Sequence, residues 1–70
     1  MKTDNYNTKL SAGKYYCWEN SDYEIEILGV VLGMAMCKGW KVTSEPIRKD
    51  EQGNEYVRLG NQTYYAFARA

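Results

Sequence analysis

An uncharged apolar run restricts the fold of this chain more than any other feature of its sequence. No residue between Ile27 and Cys37 carries a charge. A membrane-spanning helix needs about 20 apolar residues, so the run is too short to cross a bilayer. If the run were a helix, that helix would be apolar on nearly every side and would have to pack on more than one side. A chain of 70 residues has little else with which to cover it.

The residues that flank the run give conflicting signals about its secondary structure. Ser21–Glu24 fits a helical capping box, in which the serine is the N-cap and the glutamate reaches back to it. Lys38 suits the negative end of a helix dipole, and Gly39 stands where a helix-terminating glycine belongs. Against a helix, Tyr23–Ile27 alternates with a period of two. Because the start and stop signals agree with each other, we predict a helix over about residues 22–38.

The fold predicted from these elements is α+β. A short strand at residues 14–19 and the helix at about 22–38 pack on a small antiparallel sheet of three to four strands. The alternative is a small all-β barrel in which residues 23–36 form strands. Residues 1–13 are polar and predict a flexible N-terminal leader, and residues 14–70 predict one small globular domain.

Turn residues divide the C-terminal half into strands. We expect strands at residues 40–49, 55–59 and 62–69, with Pro46 marking an edge or a bulge because proline cannot donate to a ladder. Gly60-Asn61 fits a two-residue type II′ hairpin turn, which has glycine at its first central position. The register that follows pairs Leu59 with Gln62, Arg58 with Thr63, Val57 with Tyr64, and Tyr56 with Tyr65.

Charge and composition argue against catalysis and against metal or cofactor binding. The chain has nine basic and nine acidic side chains and no histidine, so the commonest general base is missing. Cys17 and Cys37 lie outside any C-x-x-C motif, and two thiols without histidine are a poor zinc site. We therefore predict a protein that is not an enzyme and binds no cofactor or metal.

The same features predict a cytoplasmic protein with no membrane partner. No signal peptide is evident at the N-terminus. An exported disulfide scaffold of this size usually has more than two cysteines, so both thiols are expected to be reduced and buried.

The last hairpin offers a candidate interaction surface. Alternation places aromatic and arginine side chains on one face and smaller, mostly aliphatic side chains on the other, and the second set is the better core. Tyrosine and arginine are enriched at protein-binding hot spots. The predicted partner-binding residues are Tyr56, Arg58, Tyr65, Phe67 and Arg69.

These residues predict a non-catalytic protein-binding module, such as a small inhibitor or adaptor of the kind carried by phages and other mobile elements. The alternative is a single-stranded nucleic-acid-binding protein, because aromatic rings interleaved with arginines can also stack on bases. The absence of a basic excess makes nucleic acid the second choice.

The apolar run also predicts self-association. A helix that is apolar on nearly every side would leave part of its surface in water, and a two-fold dimer covers the same stripe on both copies. A G-x-x-x-G spacing allows two backbones to approach closely. The expected homodimer contacts are Gly29, Val30, Gly33 and Met34.

Overall fold

A computed structural model describes residues 8–70, and within them seven strands form two antiparallel sheets. The first sheet has the order β1-β2-β3-β4 and the second β5-β6-β7. The strands are β1 Gly13–Tyr16, β2 Glu24–Val31, β3 Met34–Lys38, β4 Val42–Pro46, β5 Arg48–Lys49, β6 Glu55–Leu59 and β7 Gln62–Tyr65. No helix occurs in this part of the chain, so the predicted helix over 22–38 is wrong, and with it the α+β class. The fold is all-β, the class of the alternative.

The period-two alternation of β2 prevails over the helix-capping signals. Ile25 and Ile27 are buried while the residue on either side of Ile25 faces outward, as in a strand with one face on the core. The polar residues before β2 form a turn instead of a cap. The side-chain carbonyl of Asn20 accepts from the Asp22 amide at 2.9 Å, and its backbone carbonyl accepts from the Tyr23 amide at 3.0 Å.

Both glycines of the apolar run serve strand geometry. Between β2 and β3 the register shifts by one residue, so that Leu28 is the extra residue of a bulge and Gly29 lies opposite Met36. Leu32 and Gly33 form the two-residue hairpin turn, with φ of 54° and 76°. Two positive φ values are the mark of a type I′ turn. The run is therefore a tight hairpin, and the helix crossing inferred from its glycine spacing does not exist.

The chain passes from the first sheet to the second at one margin, a hydrogen bond links the C-terminal segment to β1 at the other, and the two sheets enclose one core. After β4 the Ile47 amide donates to the Gly33 carbonyl at 2.9 Å, and the chain then enters the second sheet as β5. At the other side the Tyr16 amide donates to the Ala68 carbonyl at 2.8 Å. The core consists of Leu10, Tyr15, Cys17, Ile25, Ile27, Ala35, Cys37, Val57, Tyr64 and Ala66.

The N-terminal segment contributes to this core. Leu10 is buried, and its amide donates to the Glu55 carboxylate at 2.8 Å. The Glu55 amide in turn donates to the Thr8 carbonyl at 2.8 Å. Thr8 and Leu10 of the predicted leader thus contact β6, while residues 1–7 lie outside the described residues.

The C-terminal hairpin has the predicted register. All four predicted residue pairs between β6 and β7 are present. Gly60 has a φ of 61° whereas Asn61 does not have a positive φ, as a type II′ turn requires. Val57, Tyr64 and Ala66 are buried as expected, but the first sheet covers them instead of a helix. Among residues 8–70, no helix is long and apolar enough to cross a membrane.

Candidate functional site

Four aromatic rings, called the aromatic cluster below, form a contiguous group on the outer side of the second sheet. They are Trp18, Tyr56, Tyr65 and Phe67. The Tyr65 ring stacks on the Phe67 ring, with centroids 4.7 Å apart. The Trp18 ring meets those of Phe67 and Tyr65 edge-on at 5.4 and 5.7 Å. Edge-to-face and stacked pairs are favourable geometries for aromatic rings, so the group is packed by its own members.

Three separate segments bring these rings together. Tyr56 and Tyr65 lie directly opposite each other on β6 and β7, and their ring centroids are 5.1 Å apart. Phe67 follows in a turn that the Ala68 amide closes on the Tyr65 carbonyl at 3.1 Å. Trp18 comes from the segment after β1, where its amide donates to the Thr63 carbonyl at 2.7 Å. Sequence alternation found three of the four rings and missed Trp18, which arrives through this contact between distant segments.

Two arginines extend the same face. Arg58 lies opposite Thr63 and donates from Nη1 to the threonine hydroxyl at 3.3 Å. Arg48 on β5 lies opposite Tyr56, and directly opposed residues of an antiparallel pair project on the same side of a sheet. Arg48 was not predicted, because the pairing of β5 with β6 cannot be read from a two-residue strand.

Arg69 is not part of this surface. The turn at residues 66–67 interrupts the alternation on which its assignment depended, and Arg69 pairs with Tyr15 instead. Its guanidinium carbon lies 4.9 Å from the centre of the Tyr15 ring, and its Nη2 donates to the Ser11 hydroxyl. The structure therefore brings together Tyr56, Tyr65 and Phe67, with Arg58 on the same sheet face, and leaves Arg69 elsewhere.

A carboxylate is fixed beside the cluster. Glu19 accepts from the Thr63 amide and hydroxyl, each at 2.8 Å, and from the Cys17 thiol at 3.3 Å. The backbone amide of Thr63, followed by its hydroxyl, lowers the pKa of Glu19 from 4.5 to about 2. Hydrogen bonds of this kind favour the ionised form, so Glu19 keeps its negative charge well into the acid range.

A second carboxylate lies in the turn between β5 and β6. Asp50 accepts from the amides of Gln52 and Asn54, each at 2.9 Å. The Asn54 amide is the main reason that the pKa of Asp50 is lowered. Burial raises the pKa of Tyr65, and the negative charges of Asp50 and Glu19 raise it further. Both carboxylates therefore act electrostatically on the cluster.

The cluster is open to solvent although its rings pack on one another. Trp18 is 61% exposed and Phe67 41%, while Tyr56 and Tyr65 are half-buried. The inner face of the same sheet is filled by the core. A large aromatic patch that the fold does not need to bury is a candidate binding site.

The two thiols do not form a reactive centre. Cys17 and Cys37 are buried and unpaired. Burial raises the pKa of Cys37 to about 11, which suppresses the nucleophilic thiolate. Within residues 8–70, no group of three or more histidine, cysteine, aspartate or glutamate side chains is placed to hold a metal ion.

The residues predicted for self-association all lie on the β2–β3 hairpin. Gly29 is at the bulge and Gly33 in the turn, while Val30 and Met34 are exposed near the tip. They share one hairpin, but they do not form the helical stripe on which the prediction was based.

No protein-family model matches the chain, and no curated protein or solved structure is significantly similar to it.

Proposed function

We propose that this chain is a non-catalytic protein-binding module of the inhibitor or adaptor type, and that its partner docks on the aromatic cluster. The observation that supports the proposal is the group of packed rings on the solvent side of a sheet whose other side already holds the core. Protein-binding hot spots are enriched in tryptophan, tyrosine and arginine. Arg48 and Arg58 supply the arginines at the border of this surface.

Mutual packing of the rings supports binding energetically. Each ring is restrained by a neighbour before a partner arrives, so less side-chain freedom is lost on association. Trp18, which is 61% exposed, has the most surface left to bury. A partner that covers it gains apolar burial at about 25 cal/mol per Å².

The charges favour a protein over a nucleic acid. Single-stranded nucleic acid is bound by open ring faces along a positively charged groove. Here the two arginines are balanced by Glu19 and Asp50, which are ionised at neutral pH, as aspartate and glutamate side chains ordinarily are. Fixed carboxylates beside the rings repel phosphates, whereas a mixed rim suits the polar border of a protein interface.

A comparison of two exposed tryptophans tests the proposal. The tagged protein is incubated with a lysate of its native host, and retained proteins are identified by mass spectrometry. Trp18→Ala is compared with Trp40→Ala, because Trp40 is 96% exposed and lies in the loop between β3 and β4, outside the aromatic cluster. We expect one protein to be retained by the wild type and by Trp40→Ala but lost with Trp18→Ala.

Two results would contradict the proposal. One is retention of the same protein by Trp18→Ala, provided that this variant melts within a few degrees of the wild type. The other is tight, salt-sensitive binding of a fluorescent oligothymidylate that Trp18→Ala abolishes, because a steep salt dependence is the mark of phosphate contacts.

A further inference from the structure

The β2–β3 hairpin carries an apolar surface on the side of its sheet that faces away from the core. Ala35 and Cys37 point inward and are buried, so their neighbours on β3 point outward. The bulge keeps β2 in phase with this pattern. The apolar hairpin face consists of the exposed residues Leu28, Val31, Leu32, Met34 and Met36.

Leu32 at the tip has a backbone conformation that does not suit it. Its φ is 54°, and it is the only residue other than glycine with a positive φ within residues 8–70. Asparagine, aspartate and glycine are preferred in type I′ turns, because other side chains are strained there. Leu32 is also 96% exposed, so a leucine at this position stabilises neither the turn nor the core of this chain. Strain that persists where folding does not need it points to function.

We propose that a second copy of this chain covers the apolar hairpin face, in a two-fold dimer with these faces packed together. The exposed surface of these five residues amounts to roughly 500 Å², within the range of the largest patches on monomers. Two copies would bury about 1,000 Å², the area at which a biological interface begins and one that suits a weak, micromolar dimer. The same patch serves both copies in a two-fold dimer, so no other partner surface is required.

The charges around the patch fit a copy of the same chain. Lys14, Glu26 and Lys38 lie opposite one another across β1, β2 and β3, on the outer face at the end away from the hairpin tip. A row that alternates in sign is able to pair with its own copy at the rim of the interface. A hairpin that inserts into an anionic membrane would instead have a cluster of basic residues beside its tip.

Sedimentation equilibrium over a concentration series tests the dimer. We expect the average mass of the wild type to rise from 8.1 kDa toward twice that value in the micromolar range. Val31→Lys places a charge in the apolar hairpin face and should leave a monomer at every concentration. Leu32→Asn should raise the melting temperature of the monomer, because asparagine suits the turn, and should weaken the dimer at least fivefold.

Leu32→Asn is expected to raise the melting temperature of the monomer and to weaken the dimer, so this variant distinguishes an effect on assembly from an effect on folding. Trp40→Ala and Trp18→Ala are the controls and should leave the dimerisation constant unchanged, which also makes this test independent of the proposed function. A wild type that stays at 8.1 kDa, or a dimer unaffected by Val31→Lys, overturns the proposal. Monomeric wild type that co-sediments with vesicles of phosphatidylcholine and phosphatidylglycerol also overturns it, in favour of a lipid surface.

Discussion

Two equivalent side-chain truncations on β2 test whether this segment is a strand or the helix that its flanking residues predict. Ile25→Val and Ile27→Val each remove one methylene from a buried side chain. Burying one methylene contributes about 0.8 kcal/mol, and with the small cavity that is left the cost is about 1 kcal/mol in each case. In a strand the two isoleucines share one face and cost the same. In a helix they lie about 200° apart, so only one would face the core.

Val31→Thr is the outward-facing control on the same strand. Val31 is 65% exposed, and threonine keeps the β-branched shape, so the free energy of unfolding should change by less than about 0.5 kcal/mol. The free energies of unfolding of all three variants are measured by urea titration and monitored by tryptophan fluorescence. The solution is dilute enough for the proposed dimer to dissociate. For a domain of this size, 1 kcal/mol shifts the melting temperature by about 4–8 °C. Unequal costs for the two isoleucines, or a Val31→Thr cost equal to theirs, would refute the strand assignment.

Three further predictions concern a turn, a carboxylate and a thiol. Gly60→Ala should destabilise the protein by about 1–2 kcal/mol because of its φ of 61°, whereas Gly39→Ala, also in open space but without positive φ, should be nearly neutral in thermal melts. The pKa of Glu19 is lowered from 4.5 to about 2, so the stability that Glu19 contributes is present above pH 4.5 and is lost as the pH falls toward 2. Glu19→Gln should therefore reduce the fall in the free energy of unfolding between pH 4.5 and 2. Native Cys37 should resist iodoacetamide at pH 8 and react after unfolding in urea, since its pKa is raised to about 11.

Local turn chemistry made the C-terminal hairpin predictable. A two-residue turn fixes the register of both strands, and Gly60-Asn61 allows few alternatives. The β2–β3 hairpin could not be read in the same way, because Leu32-Gly33 lacks the asparagine or aspartate that usually marks a type I′ turn. With that turn hidden, the capping residues before β2 and the glycine after β3 imitated the two ends of one long helix.

The candidate site was predictable as far as alternation reached. Tyr56, Arg58 and Tyr65 lie within two strands whose register follows from one turn. Trp18 joins the face through a contact with Thr63, 45 residues away, which no local pattern encodes. Arg48 joins it through the neighbouring strand β5, which is only two residues long and too short to give a readable alternation. Alternation fails at Arg69: the chain turns after Tyr65, and although Phe67 still joins the aromatic cluster, Arg69 pairs with Tyr15 of β1.

The most direct test of the central claim is to map the bound partner on the domain itself. Amide and indole NMR spectra of the ¹⁵N-labelled protein are recorded while the captured partner is added. We predict that the largest changes fall on the Trp18 indole and on the amides of residues 56–58 and 63–67, with the Trp40 indole unaffected. Changes confined to the β2–β3 hairpin, or to the outer face of the first sheet, would contradict docking on the aromatic cluster.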